Sequence, residues 1–128
     1  MGEGKVFLID DDPISLKLFS QFLEKAGFEV NTTQRVIGTI GEINHFAPDV
    51  ILVDVMLPAL SGDKIVKILR ESISSQPVII LLSNKSEDEL KRLTQECGAD
   101  DYIPKISGPG FMLEKVKKHL IQKKAPAS

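Results

Sequence analysis

The chain has 128 residues, of which 42% are hydrophobic and 27% are charged, and its net charge is −2. This composition excludes disordered, collagen-like and low-complexity proteins, and the length suits one domain that can bury about two-thirds of its unfolded surface. There is no basic excess to bind nucleic acid or an anionic membrane. The single cysteine excludes an internal disulfide and favours a reducing compartment.

The two ends of the sequence carry no recognisable targeting signal. Glu3 stands where a signal peptide would need positive charge, and the longest apolar run, residues 78–82, is far too short to cross a bilayer. We therefore expect a cytoplasmic domain without membrane contact over residues 1–122. Residues 123–128 are expected to form a flexible tail or the start of a linker.

Short apolar runs alternate along the chain with amphipathic segments. In chain order, the pattern predicts strands at residues 6–9, 28–31, 50–53, 77–82 and 101–103, each followed by a helix, at residues 13–26, 36–46, 62–71, 86–97 and 111–121. In the first helix, spacings of three and four predict one buried face, made of Ile14, Leu18, Phe19, Phe22, Leu23 and Ala26. In the last helix, the same reasoning places Met112, Val116 and Leu120 inward.

Five strand–helix units in succession predict an α/β fold, a doubly wound (βα)5 five-stranded parallel sheet with helices on both faces. The third and fourth strands are continuous runs of Val, Ile and Leu, which is typical of parallel strands covered on both sides. In such sheets the functional crevice lies outside the carboxyl ends of the strands. The residues that directly follow each strand are therefore the candidates for function.

Polar side chains follow four of the predicted strands: Asp10, Asp11 and Asp12 after the first, Asp54 after the third, Ser83 after the fourth and Lys105 past the fifth. Carboxylates at one edge repel each other, by about 4 kcal/mol for two full charges 4 Å apart at an effective dielectric near 20. A divalent cation removes this cost, and all-oxygen ligands without His or Cys favour Mg²⁺, with Mn²⁺ as a substitute. An aspartate beside such an ion is a candidate phosphoryl acceptor, and Lys105 and Ser83 can neutralise phosphoryl oxygens.

Purely structural interpretations of the same residues remain open at this point. The acids after the first strand can cap the following helix, and Asp54 can be an ordinary loop acid. Ser83 can be an ordinary hydroxyl residue after a strand, and Lys105 can be a solvated surface lysine. A nucleotide or flavin phosphate is disfavoured, because it would meet an acidic turn where it needs a glycine-rich one.

Four segments of the sequence resemble the response-regulator receiver domains of the CheY-like superfamily. Residues 7–13 (FLIDDDP) resemble the acidic motif of that family, and residues 54–62 (DVMLPALSG) resemble its phosphoacceptor motif. Residues 82–83 (LS) resemble its Ser/Thr switch position, and residues 98–105 (GADDYIPK) resemble its Gly-Ala-Asp-Asp-Tyr-Leu-x-Lys segment. The resemblance extends from about residue 5 to residue 120 and implies a flavodoxin/CheY-like fold.

The resemblance also implies a chemistry for the acidic residues. A histidine kinase or histidine phosphotransfer protein would donate a phosphoryl group to Asp54, with Mg²⁺ as the cofactor. Asp11 and Asp54 would bind the metal directly, together with the backbone carbonyl of Met56, and Asp10 would act through a water. The domain would be a switch that catalyses its own phosphorylation and slow dephosphorylation, not a turnover enzyme.

A second implication concerns signalling. Ser83 and Lys105 would hold the phosphoryl group, and Ser83 and Tyr102 would rearrange around it. This would change the surface formed by the fourth helix, fifth strand and fifth helix, and that surface would select an output protein or domain. The structural alternative is that Tyr102 is a half-buried aromatic residue of a strand and never switches.

Three departures from the family pattern keep other functions open. Ile106 stands where the family has proline after a cis bond, and because a non-proline cis bond costs about 2.5–4 kcal/mol we expect a trans bond. Asn84 replaces a usual Ala or Gly beside the site, and residues 107–110 differ from the usual loop. A pseudo-receiver, which binds proteins without phosphate, is therefore one alternative. A small haloacid-dehalogenase-type phosphatase is another, although Asp10 and Asp12 fit its motif only nominally.

Overall fold

The computed structural model describes residues 4–57 and 60–124, in which five short segments pair as parallel strands. The strands are β1 (Lys5–Ile9), β2 (Glu29–Thr33), β3 (Val50–Val53), β4 (Val78–Ser83) and β5 (Asp101–Pro104). Their order in the sheet is β2-β1-β3-β4-β5. The order reverses between β1 and β3, so the predicted doubly wound sheet is confirmed.

Helices connect the strands and cover both faces of the sheet. They are α1 (Pro13–Lys25), α2 (Ile40–Phe46), α3 (Gly62–Ser72), α4 (Glu87–Cys97) and α5 (Gly108–Lys124), and a short 3₁₀ turn, Lys105–Ser107, precedes α5. Within the described residues, no helix combines the length and the apolar character that a bilayer crossing requires.

Side chains that alternate along the strands divide the core into two layers. Ile9, Val53 and Leu81 point to the face covered by α2, α3 and α4. Leu8 and Leu52 point to the other face, where they meet α1 and α5. Because the central strands are buried on both sides, they need the unbroken apolar sequence that predicted them.

The buried face of α1 differs from the predicted one. Leu16, Phe19 and Leu23 pack against the sheet, whereas Ile14, Leu18 and Phe22 are exposed by 77%, 43% and 39%. The predicted set combined two apolar stripes on opposite sides of the helix, and only one side can face the sheet. Ala26 follows the helix and is partly buried. The inward positions predicted for α5 are confirmed, with Met112, Val116 and Leu120 buried.

Two helix boundaries were also predicted wrongly. The helix predicted from residue 36 begins at Ile40, because Gly38 has a φ of 84° and interrupts it. The last helix begins three residues before its predicted start and runs to Lys124. Lys123 and Lys124, expected in the flexible tail, are therefore helical, while residues 125–128 of that tail lie outside the described residues. The described chain has no cis peptide bond, which confirms the trans bond expected before Ile106.

The orientation of α1 generates a prediction for stability. Phe19→Ala should lower the free energy of unfolding by about 3–5 kcal/mol, because it empties a buried site. Ile14→Ala is the matched control and should change it by less than about 0.5 kcal/mol, since this side chain is mostly in water. Urea unfolding followed by circular dichroism measures both. Equal losses for the two variants would contradict this orientation of the helix.

Candidate functional site

Asp10 and Asp54 lie side by side at the carboxyl edge of the sheet. β1 and β3 are adjacent, and their last residues, Ile9 and Val53, are partners in the parallel register. Each aspartate is the next residue in its strand's direction, and the backbone N–H of Asp54 donates to the carbonyl of Ile9 at 2.8 Å. Both carboxylates are nearly buried, with relative exposures of 1% and 5% for the two residues.

Main-chain donors orient one oxygen of each buried carboxylate. The N–H of Asp12 donates to Oδ1 of Asp10 at 2.9 Å, and the N–H of Met56 donates to Oδ1 of Asp54 at 2.8 Å. In both cases the Oδ2 atom remains for other partners. The turns after β1 and β3 therefore fix the direction of the two carboxylates without help from other side chains.

Lys105 brings a positive charge between these two oxygens. It directly follows β5, two strands away from Asp54, and its long side chain crosses the end of β4. Its Nζ lies 2.6 Å from Oδ2 of Asp10 and 3.1 Å from Oδ2 of Asp54, and its side chain is only 7% exposed. Of these two contacts, only the one to Asp54 has hydrogen-bond geometry.

The geometry of the acidic residues fits a hard divalent cation. Asp10, Asp11 and Asp54 each offer an oxygen within 4.8 Å of the others. Asp11 is exposed, so the cluster opens to solvent on one side. Oδ2 of Asp10 is buried, and its close contact is the ammonium of Lys105 at 2.6 Å, outside ideal hydrogen-bond geometry. A buried acceptor of this kind, within an all-oxygen cluster, is a suitable environment for Mg²⁺.

Burial and the contact between Asp10 and Lys105 shift the pKa values of both groups. Burial raises the pKa of the Asp10 carboxyl, and the close contact with Lys105 offsets only part of this effect. Burial alone would lower the pKa of Lys105, but the contact with Asp10 and the charge of Asp54 outweigh it, so the net pKa is raised. Lys105 is therefore charged at neutral pH, whereas burial disfavours the ionised form of Asp10.

Asp12 caps helix α1, which is the structural role that the sequence allowed for all three acids after β1. Its Oδ1 accepts the N–H of Ile14 at 3.0 Å, and its Oδ2 accepts the hydroxyl of Ser15 at 3.0 Å. The bond from Ile14 lowers the pKa of the Asp12 carboxyl. Asp12 caps α1, whereas Asp10 and Asp11 face the cluster.

The two proposed switch residues are not part of the acidic cluster. Ser83 ends β4 between the strands that carry Asp54 and Lys105, and it is fully buried. Its Oγ accepts a long bond of 3.4 Å from the N–H of Lys85. The hydroxyl of Tyr102 donates to Oε1 of Glu87 at 3.4 Å, which directs the phenol toward the surface of α4.

Two of the three departures from the family pattern, Asn84 and Ile106, lie beside the site at an open groove. Asn84 and Ile106 line this groove together with Lys105, and its volume is about 700 Å³. Ile106 is 95% exposed. The side chain of Met56, from which only the carbonyl was expected to act, is 52% exposed and points away from the core.

A second charged cluster was missed by the sequence analysis. Asp101, Lys115 and His119 meet where β5 packs on α5, with Asp101 accepting bonds from both basic side chains at 2.8 Å. The side chain of His119 is only 14% exposed, although it lies near the end of the last helix. The signal available in the sequence was the spacing of four residues between Lys115 and His119, which places both on one face of a helix.

The raised pKa of Asp10 leads to a prediction for pH dependence. Its folded-state pKa exceeds the unfolded value near 3.8, so the folded state binds the proton more tightly. Stability therefore falls as pH rises from that value through the raised pKa. Asp10→Asn should raise the urea midpoint at pH 7 without magnesium and flatten this decline. Asp12→Asn, which retains a capping side chain, should keep the wild-type slope above pH 3.8, because the lowered pKa of Asp12 acts below that value. A less stable Asp10→Asn protein with the wild-type slope would contradict the prediction.

Comparisons with known proteins agree with this geometry. The family model of the Response regulator receiver domain matches residues 6–117. The chain is 32% identical over 125 residues to the transcriptional regulatory protein CpxR homolog of Haemophilus influenzae, an alignment that covers 98% of this chain and 54% of that protein. It is 31% identical over 118 residues to the polar-differentiation response regulator DivK of Brucella ovis, covering 90% of this chain and 94% of DivK.

A solved structure gives the same result. The BeF3-activated N-terminal receiver domain of Klebsiella pneumoniae RstA superposes with a TM-score of 0.80 at 32% identity, covering 91% of this chain and 97% of that one. The chain spans about half the length of the curated transcriptional regulators that it matches. With the fold, the order of the motifs and the family match in agreement, the chain belongs to the response regulator receiver domain family.

Proposed function

We propose that this domain accepts a phosphoryl group on Asp54 from a histidine kinase or a histidine phosphotransfer protein. The observation that carries the proposal is the placement of Oδ2 of Asp54, which is 3.1 Å from the Lys105 ammonium and beside two further carboxylates. In the transfer, this carboxylate forms a bond to phosphorus as the bond between phosphorus and the donor imidazole nitrogen breaks. The nitrogen keeps the electron pair and takes a proton.

The residues of the acidic cluster would share the cofactor site. Asp11 and Asp54, with the carbonyl of Met56, would hold Mg²⁺ or Mn²⁺ directly, and Asp10 would hold it through a water. When bound, the cation supplies charge neutralisation for the carboxylates and the phosphoryl oxygens. The main-chain bonds from Asp12 and Met56 keep the carboxylates aimed without competing for their Oδ2 atoms. The sheet edge thus supplies a preorganised set of ligands.

Lys105 would change partners during the reaction. Its ammonium contacts both Asp10 and Asp54, and a phosphoryl group on Asp54 would offer it a new anionic oxygen at the same end of the sheet. The trans peptide bond before Ile106 leaves Nζ within hydrogen-bond distance of Asp54. This distance favours a working receiver over a pseudo-receiver, the alternative supported by Asn84 and Ile106.

Signal output would follow from a rearrangement of Ser83 and Tyr102. Ser83 would contact the phosphoryl group, and Tyr102 would turn from Glu87 toward the interior. Together these movements would alter the α4–β5–α5 face, the surface formed by the fourth helix, fifth strand and fifth helix. The partner would be an output protein or domain, and this domain itself would not contact nucleic acid. The similarity to transcriptional regulatory proteins, of which the chain covers 54% and 50%, supports such an output. We place this signalling in the cytoplasm, and the domain acts as a switch, not as a turnover enzyme.

Phosphorylation can be tested directly by mass spectrometry. With acetyl phosphate and Mg²⁺, the wild-type protein should gain the mass of one phosphoryl group, and chelation of the metal should prevent the gain. Asp54→Asn should show none, because it removes the nucleophile. Asp63→Asn, which changes an exposed acid on α3, is the control and should react as wild type does. An unreactive wild-type protein would favour the pseudo-receiver, and an equally reactive Asp54→Asn protein would place the acceptor elsewhere.

The position of Lys105 predicts an opposing effect on metal binding and on phosphorylation. Lys105→Met should bind Mg²⁺ at least about fivefold more tightly, since it removes a positive charge that contacts two of the acidic residues. The same variant should be phosphorylated more slowly, because it loses a group that would neutralise the transferred oxygens. Calorimetric titration and the mass assay measure the two effects, with Lys17→Met, at an exposed site on α1, as the control. Unchanged or weaker magnesium binding would contradict this account of Lys105.

A further inference from the structure

Lys115 joins three groups of the α4–β5–α5 face that have no part in the acidic site. From α5, its Nζ donates to Oδ1 of Asp101 at 2.8 Å and to the backbone carbonyl of Tyr102 at 2.7 Å. The same atom lies 4.6 Å from the centroid of the Tyr102 ring and 5.3 Å from that of Phe111. Its side chain is only 20% exposed, so water screens these contacts incompletely.

Tyr102 is restrained from several directions as a result. Its N–H donates to Oδ1 of Asp101 at 2.8 Å, its carbonyl accepts from Lys115, and its hydroxyl donates to Glu87. Asp101 is in turn fixed by His119, which contacts its other oxygen at 2.8 Å. The ring therefore lies over an ammonium whose position is set by a carboxylate and a backbone carbonyl.

The charge of Lys115 favours the outward position of the ring. An ammonium over an aromatic face is attracted by the electrons of the ring, and the attraction strengthens where water is partly excluded. If the ring turns inward it leaves both the ammonium and Glu87, while the other two contacts of Lys115, to backbone and carboxylate, can persist. Because only the inward position loses this interaction, the interaction shifts the equilibrium between the two positions toward the outward one.

We propose that Lys115 is an electrostatic latch that holds Tyr102 outward in the resting domain and thereby sets how much phosphoryl occupancy is needed to turn it inward. Lys115 is a positioning residue that acts through Tyr102 and touches none of the reacting atoms. The second half of the proposal rests on the proposed function, whereas the resting position of the ring does not.

The composition of the chain makes this test direct, because Tyr102 is its only tyrosine. Selective labelling of tyrosine gives one set of three-bond couplings from the backbone to the ring, and these report the populations about the first side-chain torsion. Lys115→Met keeps a long apolar side chain and removes the charge. It should raise the minor rotamer population about fivefold over wild type in the unphosphorylated protein. Lys117→Met, at an exposed position of the same helix, should leave the populations unchanged.

A conservative variant separates the charge from a structural role. Lys115→Arg retains a cation that can lie over the ring and should restore the wild-type populations, even if its stability in urea differs. If Lys115→Met and Lys117→Met give the same couplings as wild type, the latch does not exist. If Lys115→Arg behaves as Lys115→Met does, the charge is not what holds the ring, and the proposal is also overturned.

The regulatory half is tested with beryllofluoride and Mg²⁺, an analogue of the phosphoryl group. The concentration that turns half of the Tyr102 population inward should be about fivefold lower for Lys115→Met than for wild type or Lys117→Met. An unchanged midpoint would overturn the role of Lys115 in setting the threshold. A wild-type protein that ignores beryllofluoride would contradict the proposed function instead, and the couplings of the resting protein would still decide whether Lys115 holds the ring.

Discussion

The burial of carboxylates side by side at one edge of the sheet is the constraint on which the rest of this domain depends. Asp10 and Asp54 are nearly inaccessible, Asp11 completes the cluster, and Lys105 is the one cation in contact with the two buried acids among the described residues. Three negative groups against one positive group leave an excess that a hydrophobic core would not tolerate. The excess lies at an open edge of the sheet, where, under the proposed function, a divalent cation would balance it.

The sheet is what makes such crowding possible. Adjacent parallel strands end at the same edge, and the pairing of Ile9 with Val53 sets Asp10 beside Asp54. Layers of apolar side chains on both faces hold β1, β3 and β4 in place, so the repulsion at the edge cannot push the strands apart without exposing the core. Packing in the two apolar layers thus holds the crowded carboxylates in place at the carboxyl ends of the strands.

Much of this arrangement could be predicted from the sequence, because it depends on local signals. Continuous apolar runs indicated the central strands, and the residues after them indicated the acidic cluster and Lys105. The buried face of a helix could not be predicted where apolar residues lie on two of its sides. α1 carries apolar residues on two sides, and only its packing shows that Leu16 and Phe19 face the sheet while Ile14 does not. The cluster of Asp101, Lys115 and His119 joins a strand to a helix, and no local pattern shows which of the lysines on α5 will reach the strand.

The orientation of the two buried carboxylates by main-chain groups has a consequence for how the sequences of related domains can diverge. Their Oδ1 atoms are bound by the main-chain N–H groups of Asp12 and Met56, which every residue type except proline provides. Substitutions on the exposed surfaces of the helices therefore leave the aim of these groups unchanged. Lineages that share this edge of the sheet can acquire new docking specificities by surface change alone, while the geometry of the carboxylates is inherited intact.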